Sequence, residues 1–110
     1  MEVSGWSSGS PNKRTGGGYG IRLSHRDRDR WFRREWTSVT LHIEGGGEVE
    51  VNLTPSFWRS CTELRHRAIG RFMIAHGLAP WPKGSPPRMW LERMGGRPLR
   101  LSTQEPHLPA

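Results

Sequence analysis

The sequence predicts an α+β fold: a small, mostly antiparallel β-barrel (pseudobarrel) or a strongly bent sheet, with one main helix. Residues 38–53 alternate apolar with polar side chains on either side of the glycine-rich turn 44–47, which indicates a β-hairpin. Residues 88–102 repeat this pattern around a second glycine-containing turn. Between the hairpins, residues 63–76 place apolar side chains at helical spacing. A small domain that alternates these elements in this order buries one shared core.

The remaining elements follow from local signals. Residues 1–18 are rich in glycine and serine and include Lys13 and Arg14, so we predict a flexible basic tail. Residues 19–24 alternate as a first strand, and residues 19–103 then form a single globular domain. We predict that residues 104–110 are a disordered tail.

The sequence also predicts the conformation of two connecting segments. Thr54 and Pro55 are typical of a helix start, so a short helical turn is expected there. Residues 78–87 contain four prolines and one glycine, which predicts a rigid loop.

Charge is strongly basic and unevenly distributed. The chain of 110 residues has a formal net charge of +7, and of its 17 basic residues only Lys13 and Lys83 are lysines. Residues 38–53 carry glutamates alone, whereas residues 22–36, 59–71 and 83–100 are net basic. A basic face of this kind favours a phosphate-bearing partner.

Compartment and redox state are constrained by what the chain does not contain. The single cysteine, Cys61, excludes a disulfide within the chain. No signal-peptide pattern and no apolar run long enough for a membrane helix is present. We therefore expect a cytoplasmic protein with no membrane partner.

Residues 22–36 are the strongest functional signal. They contain six arginines, two tryptophans and a phenylalanine. Guanidinium groups match phosphate geometry and stack on planar rings. If residues 26–30 are extended, their arginines share one face and their aspartates the other. The alternative is a solvated loop in an arginine-rich protein.

No catalytic or metal-binding pattern is evident. The five histidines lack metal-ligand spacing, and Ser60 lacks the context of a nucleophile. Asp27, Asp29 and Glu35 are the carboxylates that a metal-dependent nuclease would use, but arginines separate them. We expect no enzyme activity, no metal and no cofactor.

The order of these motifs resembles a known family. The segment VTLHIEGGGEVEVNL, the helix end from Phe72 through His76–Gly77–Leu78, and the turn at Lys83–Gly84 are similar to the pseudobarrel DNA-binding domain of plant B-three transcription factors and of the recognition domains of some restriction endonucleases. The resemblance covers residues 19–102. It implies that residues 24–34 are an arm that enters the DNA major groove.

Together these observations predict a non-catalytic domain that binds nucleic acid, with duplex DNA the first expectation. The predicted binding residues are Arg22, Arg26, Arg28, Arg30, Arg33, Arg34, Lys83, Arg88, Trp81 and Trp90. Trp81 also fits a core-capping position in its proline-rich loop, and Trp31 and Trp36 are suited to anchoring the basic segment. The alternative function is a protein-interaction module or inhibitor subunit with a Trp/Arg interface.

Overall fold

The computed structural model describes residues 1–106 and consists of seven strands and three short helices in this part of the chain. In chain order they are β1 (Glu2–Ser7), β2 (Tyr19–Arg22), α1 (His25–Trp31), β3 (Ser38–Ile43), β4 (Gly47–Asn52), α2 (Pro55–Arg59), β5 (Glu63–Arg65), α3 (Arg67–Ala75), β6 (Arg88–Arg93) and β7 (Leu99–Ser102).

All seven strands belong to one mixed sheet with the order β4-β3-β7-β6-β1-β2-β5. Strands β3 and β7 pair in parallel, and the other described pairs are antiparallel. The edge strands β4 and β5 approach each other, so the sheet curls into a nearly closed barrel. The predicted small α+β pseudobarrel is thereby confirmed.

Both predicted hairpins are present. In the first, Val39 lies opposite Val51 and Leu41 opposite Val49, around a turn in which Gly45 and Gly47 have positive φ. In the second, Leu91 lies opposite Leu101. Side chains alternate between the two faces of a strand. The inward-facing apolar residues of β3, β6 and β7 therefore form one buried core: Val39, Leu41, Ile43, Met89, Leu91, Leu99 and Leu101.

The predicted flexible tail over residues 1–18 is wrong. Strand β1 lies between β2 and β6 and pairs with both. Val3 is buried in the core, and Gly5 donates its backbone N–H to the Pro87 carbonyl. Composition failed here because a central strand gains its hydrogen bonds from neighbours that are distant in sequence, even when the segment around it is rich in glycine and serine.

Residues 8–18, which join β1 to β2, are held against α3. The side-chain oxygen of Asn12 accepts from the backbone N–H groups of Arg14 and Thr15. Gly16 lies so close to Gly70 of α3 that a Cβ on Gly70 would overlap the Gly16 carbonyl oxygen. Two glycines at one crossing therefore fix this loop to the helix.

The predicted tail of residues 104–110 lies in part outside the described residues.

The main helix, α3, starts later than predicted. Residues 63–65 form the edge strand β5, and His66 caps the helix by accepting the Ala68 backbone N–H at its Nδ1. The hydroxyl of Thr62 donates to the Leu23 carbonyl of the β2–α1 connection. Pairing with β2 therefore outweighs helix propensity at residues 63–65.

The extended conformation considered for residues 26–30 is also wrong, because residues 25–31 form helix α1. The Ser24 side chain accepts from the Asp27 backbone N–H, which is an N-terminal cap. In a helix, the alternating arginines and aspartates point in different directions around the axis rather than to two opposite faces. Helix α1 therefore does not present Arg26, Arg28 and Arg30 together.

Candidate nucleic-acid interface

Arg28 is the residue through which α1 is attached to the barrel. Its side chain is buried, with 5% of the residue exposed, and its Nη1 donates to the carbonyls of Phe57 and Trp58 at 3.2 and 3.1 Å. Its Nε donates to Asp29 at 2.9 Å. A guanidinium with these partners is satisfied within the protein, so Arg28, although predicted to bind nucleic acid, has a structural position.

An aromatic chain runs beneath α1. Phe32 contacts Trp36 with ring centroids 6.2 Å apart and Phe57 at 5.2 Å, and Phe57 contacts Trp58 at 5.2 Å. Each pair is in an edge-on arrangement, which aromatic quadrupoles favour. Phe32 and Phe57 are buried, whereas Trp36 and Trp58 reach the surface. The chain thus connects the α1 segment to α2.

Arginines lie over three half-buried tryptophans. The guanidinium carbon of Arg93 is 4.7 Å from the Trp31 ring centroid, that of Arg97 is 4.8 Å from Trp36, and that of Arg34 is 5.4 Å from Trp58. Arg93 also donates to the Arg30 carbonyl at 2.9 Å. These contacts join the α1 segment, α2 and the β6–β7 turn into one surface. We call it the Arg–Trp surface: Arg30, Trp31, Arg33, Arg34, Trp36, Trp58, Arg93 and Arg97.

The arginines of this surface keep their charge available. None of its five arginines lies within 4.0 Å of a carboxylate oxygen in residues 1–106. The ring contacts hold the guanidiniums in place without neutralising them. A positive surface with positioned donors is suited to binding phosphates.

A pocket of about 340 Å³ opens in the Arg–Trp surface. It is lined by Asp29, Arg30, Trp31, Phe32, Arg33, Trp36 and Arg93. The hydrogen bond from Arg28 holds the pKa of Asp29 below its usual range, and the nearby positive charges of Arg34 and His25 lower the pKa further. Asp29 therefore presents an ionised carboxylate among aromatic rings and guanidiniums.

The outer face of the sheet has a different electrostatic character. Arg22 and Arg65 both contact the buried Glu63, at 3.5 and 2.7 Å, and Arg88 contacts Glu2 at 3.2 Å. The predicted binding residues Arg22 and Arg88 are exposed here, but each faces a carboxylate. Their positive charge is largely compensated within the sheet.

Trp90, also predicted to bind, is half-buried on the same sheet face, in register with Glu2.

The remaining predicted residues are dispersed. Arg26 is exposed in the first turn of α1. Trp81 packs against Tyr19 with ring centroids 5.7 Å apart, which is the core-capping position considered for it. Lys83 is exposed in the same proline-rich loop, between α3 and β6. Of the predicted set, the structure therefore places Arg30, Arg33 and Arg34 in the Arg–Trp surface, with Arg26 one helical turn before Arg30 on α1.

Arg93 and Arg97 are members of this surface that sequence reasoning missed. They lie at the end of β6 and in the β6–β7 turn, more than fifty residues from the arginine-rich segment. The net basic charge of residues 83–100 was the available signal, but it does not say which arginine contacts which tryptophan. The hydrogen bonds from Ser38 and Thr40 lower the pKa of Glu50, and the positive charge of Arg97 lowers it further.

Comparison with known proteins leaves the family open. No protein-family model matches this chain, and no match is found among curated proteins or solved structures.

Two further features of the described residues bear on function. Across residues 1–106, no group of three or more histidine, cysteine, aspartate or glutamate side chains is placed to hold a metal ion. In the same range, every helix is too short or too polar to cross a membrane.

Proposed function

We propose that this chain is a non-catalytic nucleic-acid-binding domain that holds duplex DNA at the Arg–Trp surface. The observation that carries the proposal is the set of five arginines, three of them positioned over tryptophan rings, without carboxylate partners in the described residues. Positioned guanidiniums bind phosphate oxygens in two-point geometry. Kinship with B-three-like pseudobarrel domains is part of the same proposal, and the nearly closed seven-stranded sheet is compatible with it.

Duplex DNA is favoured over single strands for a structural reason. Proteins that bind single strands stack successive bases on open aromatic rings. Here a guanidinium lies over each of Trp31, Trp36 and Trp58, which leaves fewer open rings for a track of bases. The outward-facing guanidinium groups are better suited to contacting the two phosphate backbones of a duplex.

The competing function is a protein-interaction module, because tryptophan and arginine also dominate protein interfaces. Salt distinguishes the two. Binding to phosphates releases counterions, so affinity falls steeply as salt rises, whereas an interface centred on buried tryptophan is much less sensitive.

The test compares two triple variants that lose the same charge from different surfaces. One carries Arg30→Ala, Arg33→Ala and Arg34→Ala. The control carries Lys13→Ala, Arg14→Ala and Arg67→Ala, three exposed residues on the β1–β2 loop and α3. Binding to duplex DNA, single-stranded DNA and RNA is measured by fluorescence anisotropy across a salt series, after circular dichroism has shown that both variants fold.

We expect the wild type and the control to bind duplex DNA with a similar salt slope. The first variant should lose up to roughly three units of slope, about one for each phosphate contact removed. Equal losses in both variants would indicate unspecific charge attraction rather than a site. Salt-insensitive binding, or none, would contradict the proposal, and a preference for single strands or RNA would replace duplex DNA as the ligand.

A further inference from the structure

The pocket in the Arg–Trp surface differs in chemistry from the rest of that surface. Its volume of about 340 Å³ is at the lower end of the range for small-ligand pockets, which run from roughly 300 to 1,000 Å³. Two tryptophans and one phenylalanine contribute to its walls, and three arginines and one aspartate surround them. It therefore combines flat apolar surfaces with both hydrogen-bond donors and an acceptor.

Asp29 argues against a phosphate as the occupant. Its carboxylate is ionised and half exposed, with 53% of the side chain accessible, so it repels a phosphate oxygen. Only Oδ1 receives the hydrogen bond from Arg28, and Oδ2 has no hydrogen-bond partner in residues 1–106. An ionised carboxylate accepts hydrogen bonds and donates none, so a ligand that carries N–H donors is complementary to this pocket.

A nucleobase has the required combination of properties. Its ring faces stack on tryptophan or on a guanidinium plane. Arg93, held between the Trp31 ring and the Arg30 carbonyl, provides such a plane at the pocket wall. The Watson–Crick edge of guanine presents two adjacent N–H donors, which match the two oxygens of a carboxylate.

We infer that this pocket receives one unpaired base of the bound duplex, with guanine the best fit, stacked on the guanidinium plane of Arg93 and hydrogen-bonded to Asp29. This inference rests on the proposed DNA-binding function. Extruding a base costs least where it is already unpaired, so a duplex with a single bulged guanine is the appropriate probe.

The experiment uses the full chain and three duplexes of one sequence: fully paired, with one bulged guanine, and with one bulged abasic nucleotide. The two bulged duplexes share the same backbone distortion and differ only in the base. We expect the wild type to bind the guanine bulge about 5- to 150-fold more tightly than the abasic bulge, the range that stacking of one base supplies. Asp29→Asn should reduce this ratio, whereas Asp27→Asn, the same substitution on the same helix, should preserve it.

The outcomes separate this inference from the proposed function. Equal affinity for the two bulged duplexes, together with salt-dependent binding of the paired duplex, would overturn the base pocket and leave DNA binding intact. A ratio that Asp29→Asn leaves unchanged would place the base elsewhere and overturn the assignment to this pocket. Failure to bind any of the three duplexes would overturn both proposals.

Discussion

At the residue scale, Arg28 differs from the arginines on either side of it. Arg26 and Arg30 are exposed on α1, but Arg28 points into the barrel and donates to two backbone carbonyls of the α2 region. A buried charge is tolerated only when hydrogen bonds satisfy it, and removing it leaves its acceptors without a partner. The same residue type thus has opposite environments within one helix.

We predict that Arg28→Ala lowers the free energy of unfolding by about 2–4 kcal/mol, because it removes hydrogen bonds from a charged donor to the Phe57 and Trp58 carbonyls. Chemical denaturation monitored by tryptophan fluorescence measures the change. The control is Arg26→Ala on the same helix, which is exposed and should change stability by less than about 0.5 kcal/mol. Similar small effects of both substitutions would show that Arg28 does not anchor α1.

His66 connects stability to pH. Burial of the ring lowers its pKa, and the positive charges of Arg67 and Arg71 lower it further. The neutral ring accepts the Ala68 N–H, a bond that protonation of Nδ1 removes. Because the folded pKa lies below the unfolded value of about 6.5, stability is full above that pH and is lost as pH falls towards the folded pKa.

We therefore expect the melting temperature of the wild type to fall between about pH 7 and pH 5, where the unfolded chain binds the proton more readily. His66→Asn keeps a capping side chain that does not titrate, so its melting temperature should fall less over this range. Differential scanning calorimetry at matched ionic strength compares the two proteins. Parallel pH profiles would remove His66 as the cause.

At the element scale, β1 is the strand on which closure of the barrel depends. It joins β6 to β2, and the Met1 amino group donates to the Leu91 carbonyl at 2.7 Å. Without β1, the strands β4-β3-β7-β6 would be separated from β2-β5. Strands β6 and β2 would then each expose an edge whose backbone groups have lost their partner strand. The first seven residues are therefore part of the fold.

Deletion of residues 1–7 should consequently abolish cooperative folding. Thermal unfolding by circular dichroism, with near-ultraviolet signal from the tryptophans, reports the loss of tertiary structure. The milder Val3→Ala removes buried methyl groups and should cost about 1–3 kcal/mol. A truncated chain with an unchanged melting temperature would mean that β1 is not an integral strand.

At the scale of the whole molecule, net positive charge does not by itself identify a binding face. Arginines on the outer sheet face contact Glu2 and Glu63, whereas the five arginines of the Arg–Trp surface have no carboxylate oxygen within 4.0 Å in residues 1–106. A ligand that binds only the folded state stabilises it by an amount that rises with the logarithm of the ratio of ligand concentration to Kd. Stability in the presence of DNA therefore reports on the proposed surface independently of a direct binding assay.

Duplex DNA at about 100 times its Kd should raise the free energy of unfolding of the wild type by about 2.7 kcal/mol. At that same DNA concentration, the free energy of unfolding of the variant with Arg30→Ala, Arg33→Ala and Arg34→Ala should rise much less, because the variant binds DNA with lower affinity. Thermal shift with and without DNA at constant salt measures both. Equal stabilisation of the two proteins would contradict DNA binding at this surface.

Local patterns in the sequence were sufficient for the elements whose signals are local. The alternation in residues 38–53 and the apolar spacing up to His76 predicted the first hairpin and the end of the main helix, because strand and helix periods are properties of neighbouring residues. The capping signal at Thr54 similarly predicted α2. The fold class followed from the order of these elements.

Tertiary structure alone decided the rest. Strand β1 exists because β2 and β6 supply its hydrogen bonds, and Arg28 turns inward because the Phe57 and Trp58 carbonyls are there to accept from it. The contacts of Arg93 with Trp31 and of Arg97 with Trp36 join residues about sixty positions apart. Composition marked these residues as basic or aromatic, but only the nearly closed barrel brings them within contact distance, because long-range strand pairing sets the α1 segment beside the end of β6 and the β6–β7 turn.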